Sequence, residues 1–207
     1  MLPGMSSVQG AFTGTTKLQA TATGSGSGTV VINKPTGTID GDIMVAVMHG
    51  GNGGTWTGDT GWTEVIDQGV TPNLRAAYKV ASSEGSSYTF TYSGSGSERG
   101  FIATFRGYQY DTASASVTLL NGDGTLAITG ITAAGGILIA AYALTNGAGL
   151  GATTPSGMTS MVSDLSGSSG MAAFWQEVAA GATGTRSSNI TGTNPVNNGG
   201  ILIAIKP

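Results

Sequence analysis

The chain has 207 residues, of which 36 are Gly, 21 Ser and 29 Thr, so about two fifths of its positions are glycine or hydroxylated, far above ordinary usage. Only 9% are charged while 39% are apolar, which excludes a chain held open by its own charge and supplies material for a core. The net charge is −3 and the eight cations are scattered singly, so there is no electrostatic footprint for nucleic acid.

Residues 1–15 read as an N-terminal arm. Leu2, Met5, Val8 and Phe12 are apolar without regular alternation, as in a segment that docks on a neighbouring subunit, and they are candidate partner-binding residues. The opening Met1-Leu2-Pro3-Gly4-Met5 has neither a cationic start nor an unbroken apolar stretch and does not read as a secretory signal. Residues 16–207 are expected to form a single all-β domain, because Gly, Ser and Thr interrupt the chain too often for three helical turns.

The first predicted strand is Lys17-Leu18-Gln19-Ala20-Thr21-Ala22, which alternates polar and apolar residues as a half-buried strand does. Strand 28–33 follows, and then Ile43-Met44-Val45-Ala46-Val47-Met48, continuously apolar as in a central strand covered on both faces. The loop 49–62 carries His49, Asn52, Trp56 and Asp59 among glycines, a mixture suited to sugar or protein contact, and Trp56 is the fifth candidate partner-binding residue. Trp62, by contrast, opens a strand and is expected to plug the core. Further strands are predicted over 62–68, 74–81, 87–93, 100–106, 125–129, 136–144, 158–165, 171–179, 185–191 and 200–206. Short strands at even spacing with Gly-rich turns give an antiparallel β-sandwich or jelly roll.

The pattern repeats. Gly28-Thr29-Val30-Val31-Ile32 resembles Gly124-Thr125-Leu126-Ala127-Ile128, and Gly41-Asp42-Ile43-Met44-Val45-Ala46 answers Gly135-Gly136-Ile137-Leu138-Ile139-Ala140. Gly61-Trp62-Thr63 answers Gly157-Met158-Thr159, Val80-Ala81 answers Val178-Ala179, and Phe101-Ile102-Ala103-Thr104-Phe105 answers Ile201-Leu202-Ile203-Ala204-Ile205. Five anchors in one order read as two related halves, 28–107 and 124–207, joined by 108–123 and packed into one sandwich.

Several of these motifs carry a resemblance. Lys34-Pro35-Thr36-Gly37-Thr38-Ile39-Asp40-Gly41-Asp42-Ile43, Gly61-Trp62-Thr63, Tyr78-Lys79-Val80-Ala81-Ser82, Ser87-Tyr88-Thr89-Phe90 and Phe105-Arg106-Gly107 in the first half are similar to a family of β-sandwich modules in phage virion proteins. Pro155-Ser156-Gly157-Met158-Thr159, 180–186 and the closing Ile205-Lys206-Pro207 extend the similarity through the second half. A proline that usually precedes the Gly-Trp-Thr element is here replaced by Asp59-Thr60. The resemblance implies a sandwich fold and a place on the virion, and it supplies no catalytic residues.

The residues themselves offer little chemistry. Zero Cys excludes disulfides, thiolate metal sites and thiol catalysis. The longest strongly apolar run, 137–144, is far short of the ~20 residues of a spanning helix, so no membrane is expected as a partner. His49 is the one histidine, it has no Gly-x-Ser-x-Gly elbow, and it reads as a solvated loop residue. Asp40 and Asp42 form the closest acid pair and belong to a turn, where they accept backbone hydrogen bonds beside Gly37 and Gly41. Glu64 and Asp67, three apart on a strand, are expected on opposite faces. Asn121-Gly122-Asp123-Gly124 is a tight turn in preference to a calcium loop, and the glycine-rich stretches 24–28, 50–54 and 94–96 lack the Gly-Lys-Ser/Thr of a phosphate cradle. No metal, cofactor or enzymatic activity is expected.

The combined expectation is a bacteriophage structural protein on the particle surface, a capsid decoration or cement protein that binds the assembled shell and stabilises it. Its partner would be the major capsid protein or another virion protein, and a homo-oligomer such as a trimer would multiply weak contacts. The alternative is a receptor- or carbohydrate-binding module of a tail fibre or tail tip, with Trp56 against a glycan.

Overall fold

The computed structural model describes residues 17–207 apart from 52, 59, 70–71, 121–122, 146–147 and 194–197. It contains sixteen strands among the described residues: β1 (Leu18–Gly26), β2 (Thr29–Asn33), β3 (Ile43–Gly50), β4 (Trp56–Thr57), β5 (Thr63–Gln68), β6 (Asn73–Val80), β7 (Ser87–Tyr92), β8 (Glu98–Phe105), β9 (Gln109–Leu120), β10 (Gly124–Ile128), β11 (Thr132–Thr145), β12 (Ala148–Ala152), β13 (Thr159–Asp164), β14 (Ser169–Ala182), β15 (Arg186–Thr193) and β16 (Asn198–Lys206). All pairings are antiparallel.

The strands form two five-stranded sheets, β1-β8-β3-β6-β5 and β13-β14-β11-β16-β9, and two three-stranded sheets, β2-β7-β4 and β10-β15-β12. Adding eight to each strand of the first pair of sheets reproduces the order of the second pair. The repeat therefore begins one strand earlier than the sequence anchors suggest. Segment 108–123, read as a connector, is mostly the edge strand β9, the counterpart of β1.

Within each set of eight, the first strand pairs with the eighth, the second with the seventh and the third with the sixth. A jelly-roll wrap also calls for the fourth beside the fifth. Here β5 and β13 pair instead with β6 and β14, so the order departs from a closed jelly roll at that point.

The two five-stranded sheets pack face to face as in a β-sandwich, and a three-stranded sheet covers the outside of each, so four layers result. Along β3 the side chains alternate: Ile43, Val45 and Val47 enter a central core with Ile137, Ile139, Phe101 and Ile203, while Met44, Ala46 and Met48 enter an outer core with Val30, Ile32 and Phe90. β11 does the same, sending Leu138, Ala140, Tyr142 and Leu144 into a second outer core with Leu126, Ile128 and Ile190. Each five-stranded sheet is thus covered on both faces, which is why Ile43–Gly50 is buried throughout and reads as an unbroken apolar run. Each fully buried aliphatic or aromatic side chain contributes roughly 1.5–3 kcal/mol of transfer free energy, so the stack is held mainly by these three cores.

The two five-stranded sheets face each other with β1 on β13, β8 on β14, β6 on β16 and β5 on β9. Exchanging every strand with its counterpart maps this set of contacts onto itself. At one end Tyr78 stacks on Tyr110, with centroids 4.7 Å apart, and Lys17 pairs with Glu177. The opposite end holds the polar crevice described next.

The turn chemistry follows the sequence. Thr38 N donates to Pro35 O at 3.2 Å with Gly37 at φ 84°, a type II turn that needs glycine in its third place. Asp42 accepts from Ile39 N at 3.0 Å and Asp40 from Ser83 N at 2.8 Å. Asp42 is also clamped by Arg106, whose Nε and a terminal nitrogen reach its two oxygens at 2.9 and 3.0 Å. These two acids are folding punctuation, as their turn context indicated.

Candidate functional site

Where β3 and β8 meet the far half, the strand pattern places polar residues at positions that continue the central core. His49 follows Ile43, Val45 and Val47 on the inward face of β3, and Arg99 pairs with it across the ladder on β8. Ser169 opens β14 opposite Thr145, the last residue of β11. A crevice of about 140 Å³ lies between them, lined by His49, Gly51, Ser95, Gly96, Ser97, Thr145, Ser168 and Ser169.

Arg99 ties the halves together at this place. Its guanidinium donates to both oxygens of Asp164 at 2.7 Å, to Ser169 O at 2.7 Å and to Ser166 O. Ser169 Oγ returns a bond to Ser97 O at 2.7 Å. Charge-assisted bonds of this kind are about twice as strong as neutral ones.

His49 is fully buried, not solvated in a loop as its glycine-rich surroundings suggested. Burial pushes its pKa down to about 4, with the nearby Arg99 charge acting in the same direction, so the ring is neutral at pH 7. Neither ring nitrogen has a hydrogen-bond partner among the described residues. Glu98, also fully buried, accepts from Gly28 N at 2.8 Å through one oxygen and leaves the other, Oε1, unpartnered.

A second polar group sits on the opposite face of the same sheet. Glu64 and Asp67 share one face, contrary to the expectation from their spacing, because β5 has an irregularity between Glu64 and Ile66 that admits one extra residue. Glu64 then pairs with Ala77 and Asp67 with Arg75. Arg75 Nε lies 3.2 Å from Glu64 Oε2, and Asp67 has its pKa raised by burial and by Glu64. This is an ion pair with a neighbouring acid on a sheet edge.

The candidate partner-binding residues separate in the structure. Trp56 is 3% exposed, with its ring centroid 4.9 Å from that of Tyr92, inside the outer core of the first half. It is a core residue and not a surface platform, a correction whose cause is the short strand β4, which pulls the loop onto β7. Trp62, expected in the core, is half-buried and meets Tyr88 and Phe90 edge to face. Leu2, Met5, Val8 and Phe12 lie outside the described residues, as do Asn52 and Asp59.

Sequence reasoning did not find Arg99, Asp164 or Ser169. Asp164 is 65 positions from Arg99 and Ser169 is 70, and no local motif joins them. The available signal was an arginine beside a glutamate at the head of an apolar strand, in a chain with only eight cations. Comparison of the sequence with protein-family models and with curated proteins found no match.

Proposed function

We propose that the chain is a phage virion structural protein of the decoration or cement kind, which attaches to an assembled shell and stabilises it. The observation that carries this reading is the four-layer stack with an exposed, uncharged outer face at each side. On β2, β4 and β7 the outward residues are Thr29, Val31, Asn33, Thr57, Ser87, Thr89 and Thr91, all exposed. On β10 and β15 they are Thr125, Ala127, Ser187, Asn189 and Thr191, also exposed.

Neither set contains a charge. Uncharged hydroxyl faces lose little on desolvation compared with ionised ones, and they suit broad, shallow contacts with a protein surface. Two topologically equivalent faces on opposite sides of a rigid body also suit a bridge between neighbouring capsomers, where simultaneous contacts multiply. The motif resemblance described above points the same way. The burial of Trp56 takes away the ring on which a Trp56-centred glycan-binding module depended.

The test is co-sedimentation with purified phage shells, using the full chain and a form lacking residues 1–15. Saturable attachment of the full chain should raise the temperature of shell disruption, by mass action worth about 2.7 kcal/mol at a hundredfold excess over Kd. The shortened chain should stay folded and lose attachment. A full chain that never attaches to assembled shells refutes the reading.

A further inference from the structure

The two halves are joined through the backbone by residues 106–108, between β8 and β9, and the central core that holds them together is non-covalent. The chain has no cysteine, so no disulfide clasps them. Where β6 of the first half meets β9 of the second, Tyr78 and Tyr110 lie face to face, with ring centroids 4.7 Å apart and planes within 5° of parallel. The other ring pairs among the described residues, Trp56 with Tyr92, Trp62 with Tyr88 and Phe90, and Tyr142 with Phe174, each stay within one half.

Packing alone does not demand two tyrosines here. Tyr78 pairs with Val45 as Trp175 pairs with Ile139, and Tyr110 pairs with Ile205 as Leu18 pairs with Phe105. The equivalent corner is therefore held by Trp175 and Leu18, which also pack against the central core. What the tyrosine pair adds is redox chemistry. A phenol that loses an electron and its hydroxyl proton becomes a radical whose unpaired spin is shared by the carbons ortho to oxygen. Two such radicals join between ortho carbons, and each joined carbon is at first tetrahedral, so the new bond forms across the ring faces. Parallel stacked rings present those faces to each other, which is a near-attack arrangement. The hydrogens of the joined carbons then pass to the two oxygens, restoring both phenols.

Access favours the same pair. Tyr78 and Tyr110 are half-buried, so a small oxidant reaches their edges, whereas Tyr88, Tyr92 and Tyr142 are at most 4% exposed. The remaining tyrosine, Tyr108, is held against Lys17. We propose that Tyr78 and Tyr110 are the site of an oxidative cross-link, a carbon–carbon bond between their rings that clasps the two halves covalently. The co-reactant is a peroxide activated to a one-electron oxidant. Each tyrosine gives up one hydrogen as a proton and an electron, the O–O bond of one peroxide molecule takes both electrons, and the protons pass to solvent. This inference does not rest on attachment to a shell.

The full chain is oxidised in dilute solution with persulfate and photo-activated ruthenium tris-bipyridine, then digested and read by mass spectrometry. The product should be a single chain lighter by two hydrogen atoms, with the blue fluorescence of coupled phenols and with peptides joined at Tyr78 and Tyr110. Its yield should be about tenfold above that of the same chain oxidised while unfolded in urea, because the stack holds the rings together. The linked chain should also need more denaturant to unfold than the unlinked one. Tyr78→Phe and Tyr110→Phe keep a ring in the stack and should each abolish the link, while Tyr108→Phe should leave it intact. If a phenylalanine variant does not fold, the peptide map of the wild type decides alone. Absence of coupling overturns the proposal, as do joined peptides that map to other tyrosines, an equal yield from the unfolded chain, or a link that survives either variant of the stacked pair.

Discussion

His49 shows how a single side chain couples the crevice to solvent conditions. Its folded-state pKa of about 4 lies below the ordinary histidine value of 6.5, so the unfolded chain binds a proton that the native one refuses. Stability from this group is therefore present above pH 6.5 and falls as pH drops towards 4, by about 3 kcal/mol across the window. Denaturant unfolding of the wild type and His49→Leu between pH 4 and 7 should show a slope that the variant lacks; parallel curves would contradict the buried neutral ring. Arg99 is predicted to matter more for cohesion than for charge. Arg99→Ala leaves Asp164 and two carbonyl groups without their donor and should cost roughly 3 kcal/mol, measured by chemical denaturation. Neither residue was legible in the sequence. A histidine beside Gly50-Gly51 looks like a loop residue, and burial was decided by β8 and β14, elements distant in the chain.

At the scale of the element, legibility followed periodicity. Strands with an apolar face, such as Ile43–Gly50, Asn73–Val80 and Glu98–Phe105, stand out because alternate side chains enter different cores. The edge strand β9 was missed because Asp111-Thr112-Ala113-Ser114-Ala115-Ser116 carries almost no apolar residues, and β4 and β12 because they are short or rich in glycine. The irregularity in β5 was equally hidden, since nothing in Thr63-Glu64-Val65-Ile66 marks an extra residue, and it reversed the expected placement of Glu64 and Asp67. Trp56 makes this scale testable. As a residue packed on Tyr92 within the outer core, its replacement by Ala should cost about 3–5 kcal/mol, visible as a large fall in the unfolding midpoint. A surface ring would change stability by only a few tenths. Gly136 belongs here too: at φ 130°, an added Cβ would come within 2.3 Å of Ile205 O, so Gly136→Ala should disrupt the pairing of β11 with β16 and lower stability well beyond ordinary glycine replacement.

For the molecule as a whole, the decisive fact is that, among the described residues, the inward face of each five-stranded sheet is covered by the other half. Ile43, Val45, Val47, Leu74, Phe101 and Phe105 would be laid bare if 17–107 were released from 108–207. Expressed alone, 17–107 should self-associate or aggregate, and mixing with 108–207 should restore a soluble complex by size-exclusion chromatography; a soluble monomeric half would contradict the shared core. The anchors noted in the sequence fall on core strands, and the strand orders of the two sets of sheets correspond. The layer count was not readable, because alternation says that a strand is covered twice and leaves open by what. If this rigid stack serves to hold a shell together, one image addresses the claim most directly. Electron cryomicroscopy of the intact particle should reveal four-layered density on the outside of the shell, seated where capsomers meet, with its two uncharged outer faces towards neighbours. The same density found only on the tail, or nowhere on the particle, would contradict it.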